Sequence, residues 1–124
     1  VRGKVMWEKG YILLYIKAHN KIKRSELSDK IDLNHIKDKY IDNMVEKFKR
    51  TGLVEGDEKL EITKKGDQVI NSLFDKNPHL KLVLVSNDKE EIMSYQEAYK
   101  SGKEVVHDFN NKYEAFRRSR NILN

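Results

Sequence analysis

Cysteine is absent from the 124 residues, which excludes disulfides, zinc–thiolate sites and thiol chemistry. Proline occurs once, as Pro78. No apolar run approaches the ~20 residues needed to cross a bilayer, so no membrane partner is expected. Val5 to Trp7 is too short an apolar stretch for a secretory signal. A phosphate-cradling glycine loop is also missing, because Gly52 and Gly56 lack the accompanying P-loop lysine pattern. His19, His79 and His107 are too far apart in sequence to spell a metal set, and His35 reads as a surface residue. Asp57, Glu58 and Glu61 fall where a hairpin tip is predicted, and charge there needs no catalytic explanation. The sequence therefore implies no enzyme, no cofactor and no metal.

What is present is charge. Hydrophobic residues make up 38% and charged residues 36%, a surface-heavy balance that suits a small helical protein completed by a partner subunit. The formal net charge of +5 is unevenly placed: residues 1–24 hold seven Lys or Arg against one Glu. A basic first quarter suits contact with phosphates.

Apolar periodicity then divides the chain. Trp7, Tyr11, Leu14, Tyr15 and Ala18, widened by Ile12 and Ile16, predict a helix over 6–18 buried around much of its girth, preceded by a loose basic arm with Arg2 and Lys4. Ile22 suits a very short strand. Ser25 suits the N-cap of a short helix, 26–31, with Leu27 and Ile31 inward. After a link, Asp38, or Asn34 if the helix starts earlier, caps a helix to residue 50 whose Ile41, Met44, Val45 and Phe48 recur at i, i+3, i+4 and i+7. Gly52 fits a left-handed cap behind it. Leu53–Glu55 and Leu60–Thr63 read as a hairpin turning at residues 56–58. Thr63 caps a helix with Val69, Ile70, Leu73 and Phe74 inward, stopped at Asn77-Pro78.

Beyond that point, residues 80–85 fit either a strand or a turn of helix. A helix from Asn87 or Asp88 is predicted with Ile92, Tyr95, Ala98 and Tyr99 inward, and a last helix over 103–119. The division is a first unit, 1–77, and a mainly helical extension, 78–124. The fold class expected is mainly α with a small β-hairpin.

The order of elements from Ile22 to Phe74 resembles the MarR/PadR-type winged-helix transcription regulators. The residues that carry the likeness are Ser25 to Ile31, the stripe of Ile41, Met44, Val45 and Phe48, and the pair RTGLVE (50–55) and LEITKKG (60–66). The resemblance implies a winged helix-turn-helix with 38–50 as recognition helix in the major groove and 56–59 as wing. It also implies a homodimer on a palindromic site.

Chemistry on the same residues fits double-stranded DNA. Asn43 matches the donor–acceptor pattern of adenine, and Lys39 and Lys47 suit phosphate or guanine. Tyr40, Asn43 and Lys47 are spaced to share a face. Arg2, Lys4, Lys23, Arg24, Ser25, Lys37 and Lys59 complete the expected DNA contacts. Val105, Val106, Phe109, Tyr113 and Phe116 match dimer contacts in character. Arg117, Arg118 and Arg120 suit either DNA or solvent.

The function expected is a sequence-specific DNA-binding regulator, a homodimeric repressor that is cytoplasmic and nucleoid-associated. No residue points to an inducer. The acidic wing (Glu55, Asp57 and Glu58 against Lys59) keeps open a protein-interaction winged helix. A replication or segregation accessory protein is the third reading.

Overall fold

The computed structural model describes residues 2–31, 38–76, 82–86 and 89–109, with side chains from residue 9 onward. Helix α1 (Arg2–Ala18) is the axis of the fold. Its residues Ile12 to Ile16 are all buried, so consecutive side chains point into protein in every direction, as expected of a helix surrounded by other elements. It packs on α3, α4 and β3, defined below. The basic arm expected at Arg2 and Lys4 is part of this helix, since no capping residue or proline stands between it and Trp7. Helix α1 ends at Ala18, and in the turn that follows Lys21 takes a left-handed conformation, φ 63°.

Strand β1 (Ile22–Lys23) leads directly into α2 (Arg24–Lys30). Ser25 is not the cap expected of it but lies in the first turn of α2. Lys23 occupies the cap position without a side-chain bond. The physical reason is tertiary: Arg24 N–H donates to the Glu58 carbonyl at 2.8 Å, so the hairpin replaces the hydroxyl as acceptor.

Helix α3 (Asp38–Arg50) buries the four predicted residues Ile41, Met44, Val45 and Phe48. It closes with Gly52 at φ 80°, Leu53 N–H donating to Phe48 O (2.8 Å) and Gly52 N–H to Lys49 O (3.2 Å). That paired closure satisfies the orphan carbonyls of a helix end. Strands β2 (Val54–Glu55) and β3 (Lys59–Ile62) follow, and the first sheet runs β1-β3-β2, all antiparallel.

Helix α4 (Lys64–Lys76) is capped by Thr63, whose hydroxyl accepts from Gly66 N–H at 3.0 Å. The same hydroxyl donates to Gly52 O, and Lys65 Nζ donates to Thr51 O at 2.9 Å. A Cβ on Gly66 would stand 2.3 Å from Leu53 O, so only glycine lets α4 approach so closely. The RTGLVE and LEITKKG segments thus form one junction between the end of α3 and the start of α4. Ile70 is buried and Leu73 and Phe74 are half-buried, but Val69, expected inward, is exposed.

The second region corrects the expected helical extension. Residues 82–86 are strand β4, Glu91–Ser94 is β5 and Glu104–Asp108 is β6, in the order β5-β4-β6, all antiparallel. Helix α5 spans only Tyr95–Ser101. It starts where Ser94 Oγ accepts from Glu97 N–H (3.2 Å) and ends at Gly102, φ 68°. The fold is therefore richer in helix than in strand among the described residues, but it holds two three-stranded antiparallel sheets where one small hairpin was expected. Leu82, Leu84, Ile92 and Phe109 share one buried cluster with α1, α3 and α4, so the two sheets sit against a common core. Ile92 is inward, but from a strand. Tyr95 and Tyr99 face out, Tyr99 with 83% exposure. The part of the predicted last helix beyond residue 109 lies outside the described residues.

Candidate nucleic-acid interface

Helix α3 has a large apolar side turned in, which leaves its other side for contacts. Lys39, Asp42, Asn43, Glu46, Lys47 and Arg50 are exposed. Tyr40, expected to share the open face with Asn43 and Lys47, is half-buried and packs against the core. Exposure at Asn43 and Lys47 follows from spacing, since the stripe at 41, 44, 45 and 48 leaves those positions on the far side.

The charges around this face are more mixed than a count of lysines suggests. Arg24 Nη1 lies 2.5 Å from Glu46 Oε1 and its Nε lies 4.0 Å from Asp42 Oδ1. The hydrogen bond and charge of Arg24 hold the Glu46 carboxyl below its ordinary pKa. Arg24 therefore fastens α2 to α3 and is not an unencumbered phosphate ligand. Lys49 is similarly turned to the hairpin, with Nζ 3.1 Å from Asp57 Oδ1.

Between the start of α2, the start of α3 and the hairpin lies a cleft of about 730 Å³. Lys23, Arg24 and Lys59 line it with Asp29, Asp38, Asp42, Asp57 and Glu58. Its basic edge is specific: Lys23 and Lys59 are direct partners across β1 and β3, and both are exposed. Like charges placed directly opposite repel, so this pair is a cost to the sheet and an attraction for an anion. Ser25 lines the same cleft.

The remaining expected contacts are dispersed. The side chains of Arg2 and Lys4, and Lys37 as a whole, lie outside the described residues. Of the expected dimer residues, Val105 and Val106 are 40% and 38% exposed on β6, whereas Phe109 is 5% exposed and committed to the core. Tyr113, Phe116 and the arginines at 117, 118 and 120 lie outside the described residues.

A polar cluster unrelated to this face joins α1 to the second region. Tyr15 Oη donates to Glu90 Oε2 at 2.7 Å, and His19 Nε2 also lies 2.7 Å from that oxygen. Burial and the Glu90 bond raise the Tyr15 phenol far above its ordinary range. Nothing in sequence spacing announces it, because Glu90 lies 75 residues from Tyr15.

Among the described residues no helix is long and apolar enough to cross a membrane. No family model, curated protein or solved structure matches the chain.

Proposed function

We propose that residues 2–76 form a winged helix-turn-helix and that the chain binds double-stranded DNA, with α3 as the helix that enters the major groove. The observation that carries this reading is the division of α3: four residues pinned in the core and Lys39, Asn43 and Lys47 exposed opposite them. The order α1-β1-α2-α3-β2-β3-α4, with β3 between β1 and β2, supports it. So does the lysine pair Lys23–Lys59 on the adjoining sheet. Asn43 would read a base edge, and the lysines would hold phosphates. A homodimeric repressor, cytoplasmic and nucleoid-associated, is the form of regulator this reading favours, with the exposed β6 residues Val105 and Val106 as contacts.

Selection from a random duplex library, followed by footprinting, tests it. Enrichment of a two-fold symmetric site is expected. Asn43→Ala should flatten the preference among sites, while Lys47→Ala should weaken all duplexes alike. Failure to enrich any sequence, with unchanged affinity in both variants, would sink the assignment.

One observation favours a second reading. The cleft beside α3 carries five acidic side chains against three basic ones, a balance that suits a basic protein partner better than a polyanion. Recovery of one stoichiometric protein, with no duplex binding at low salt, would select that reading.

A further inference from the structure

We infer that a groove between α1, α3 and α4 binds a medium-chain fatty carboxylate, an apolar chain ending in one anionic group. The groove has a volume of about 370 Å³, within the ~300–1,000 Å³ of small-molecule sites. Its apolar wall comes from Leu13 of α1, Met44 and Phe48 of α3 and Leu73 of α4. Methionine adapts its shape to an irregular apolar guest. Gly10, in the middle of α1, is buried and lines the groove.

Charge selects the guest. The charged side chains lining the groove are Lys9 and Lys47, with no carboxylate beside them among the described residues. Neither lysine forms an ion pair with a described residue. Thr51 is already engaged, its hydroxyl donating to Lys47 O at 2.9 Å, so it makes no polar demand on a guest. The cleft on the other side of α3 mixes five carboxylates with three basic side chains, whereas the charged lining of this groove is cationic alone, which suits an anion with an oily body. Binding to the free protein does not depend on the DNA reading. Were that reading right, the guest would share Lys47 with phosphate and compete with the duplex.

Calorimetric titration of the full chain with sodium decanoate, below its micellar range, tests the inference. Saturable binding of one decanoate per chain is expected. Decyltrimethylammonium, with the same chain and opposite charge, should bind at least about tenfold more weakly, as should decanoate to the Lys9→Ala/Lys47→Ala variant, the scale of one charge-assisted contact. Val69→Glu, at an exposed position on the groove's wall, should retain its thermal melt and lose decanoate. Absence of saturable heat, equal binding of the cationic amphiphile, or indifference to both variants would overturn the proposal. So would a concentration-dependent dimer dissociated by Val69→Glu without any decanoate heat, which would make a second copy the occupant.

Discussion

The two sheets have the same strand count and opposite characters. In β1-β3-β2 the middle strand buries Leu60 and turns the exposed Lys59 to the other side. In β5-β4-β6 the middle strand hides four successive residues. Leu82 and Leu84 enter the main core, and Val83 and Val85 pack with Ala98 beneath α5. One sheet is covered on a single face and displays charge on the other. The other is covered on both and has apolar neighbours across its ladder, such as Leu84 opposite Ile92 and Val83 opposite Met93. The lesson is a division of labour: the second sheet supplies burial, while the first tolerates repelling pairs, Lys23 opposite Lys59 and Glu55 opposite Glu61, that burial elsewhere must offset.

The most severe way to break that division is Leu84→Ala. Leu84 is fully buried, and emptying such a site costs about 2–5 kcal/mol. Because its cluster includes residues of α1, α3 and α4, urea unfolding should remain one transition at a lower midpoint, the same by circular dichroism and by tyrosine fluorescence. Two separated transitions, with the helical one unmoved, would show that the regions fold apart. Next in size is Gly66→Ala in the first region. Its new methyl would meet Leu53 O at 2.3 Å and Ile62 Cγ2 at 2.8 Å, and overpacking of this kind costs about 1–3 kcal/mol. A midpoint equal to that of the parent would mean that the α3–α4 junction yields easily.

The same difference in coverage decided what could be read from the amino acids. In α3 one face is wet, so Ile41, Met44, Val45 and Phe48 stand out at helical spacing. Gly52 and Thr63 were legible as caps because each closes its own helix end, whereas the approach of Gly66 to Leu53 and the bond from Lys65 to Thr51 join residues that only folding brings together. A strand covered on both faces loses its alternation, which is why residues 80–85 fitted strand and helix equally. Strand β6 misled further: its register shifts beside Leu84 and Val85, leaving Val106 as the extra residue of a bulge. Val105, Val106 and Phe109 then imitate a helical stripe. At the candidate interface, exposure of Asn43 and Lys47 was readable from the stripe they avoid. The capture of Arg24 by Glu46, 22 residues away, was not, since only folding brings them together.

Alkaline pH separates the regions more gently. Burial foremost, then the charges of Glu97 and Glu91 from the second region, push the Tyr11 phenol up to about 12, against about 10 for a free tyrosine. The folded value lies above the unfolded one, so this contribution is intact below pH 10 and is lost as the pH rises through about 12. Tyr11→Phe should flatten the fall in urea midpoint across that window and remove one late-ionising phenol from the tyrosinate absorbance titration. A titration with every tyrosine ionising together near its free value would contradict the burial assigned to Tyr11.

The smallest stability change carries the functional half of the comparison. Lys23 and Lys59 repel across β1 and β3 while both face solvent, and relieving such an opposed pair is worth about 0.2–1 kcal/mol. Lys23→Gln or Lys59→Gln should therefore raise the urea midpoint slightly. If the pair exists to hold phosphate, each change should also weaken duplex binding and lower its salt dependence by about one counterion. The two effects have opposite signs, which makes the test sharp. Greater stability with unaltered DNA affinity would leave the lysines as mere surface charge and shift the first sheet's purpose toward the acid-rich cleft and a protein partner.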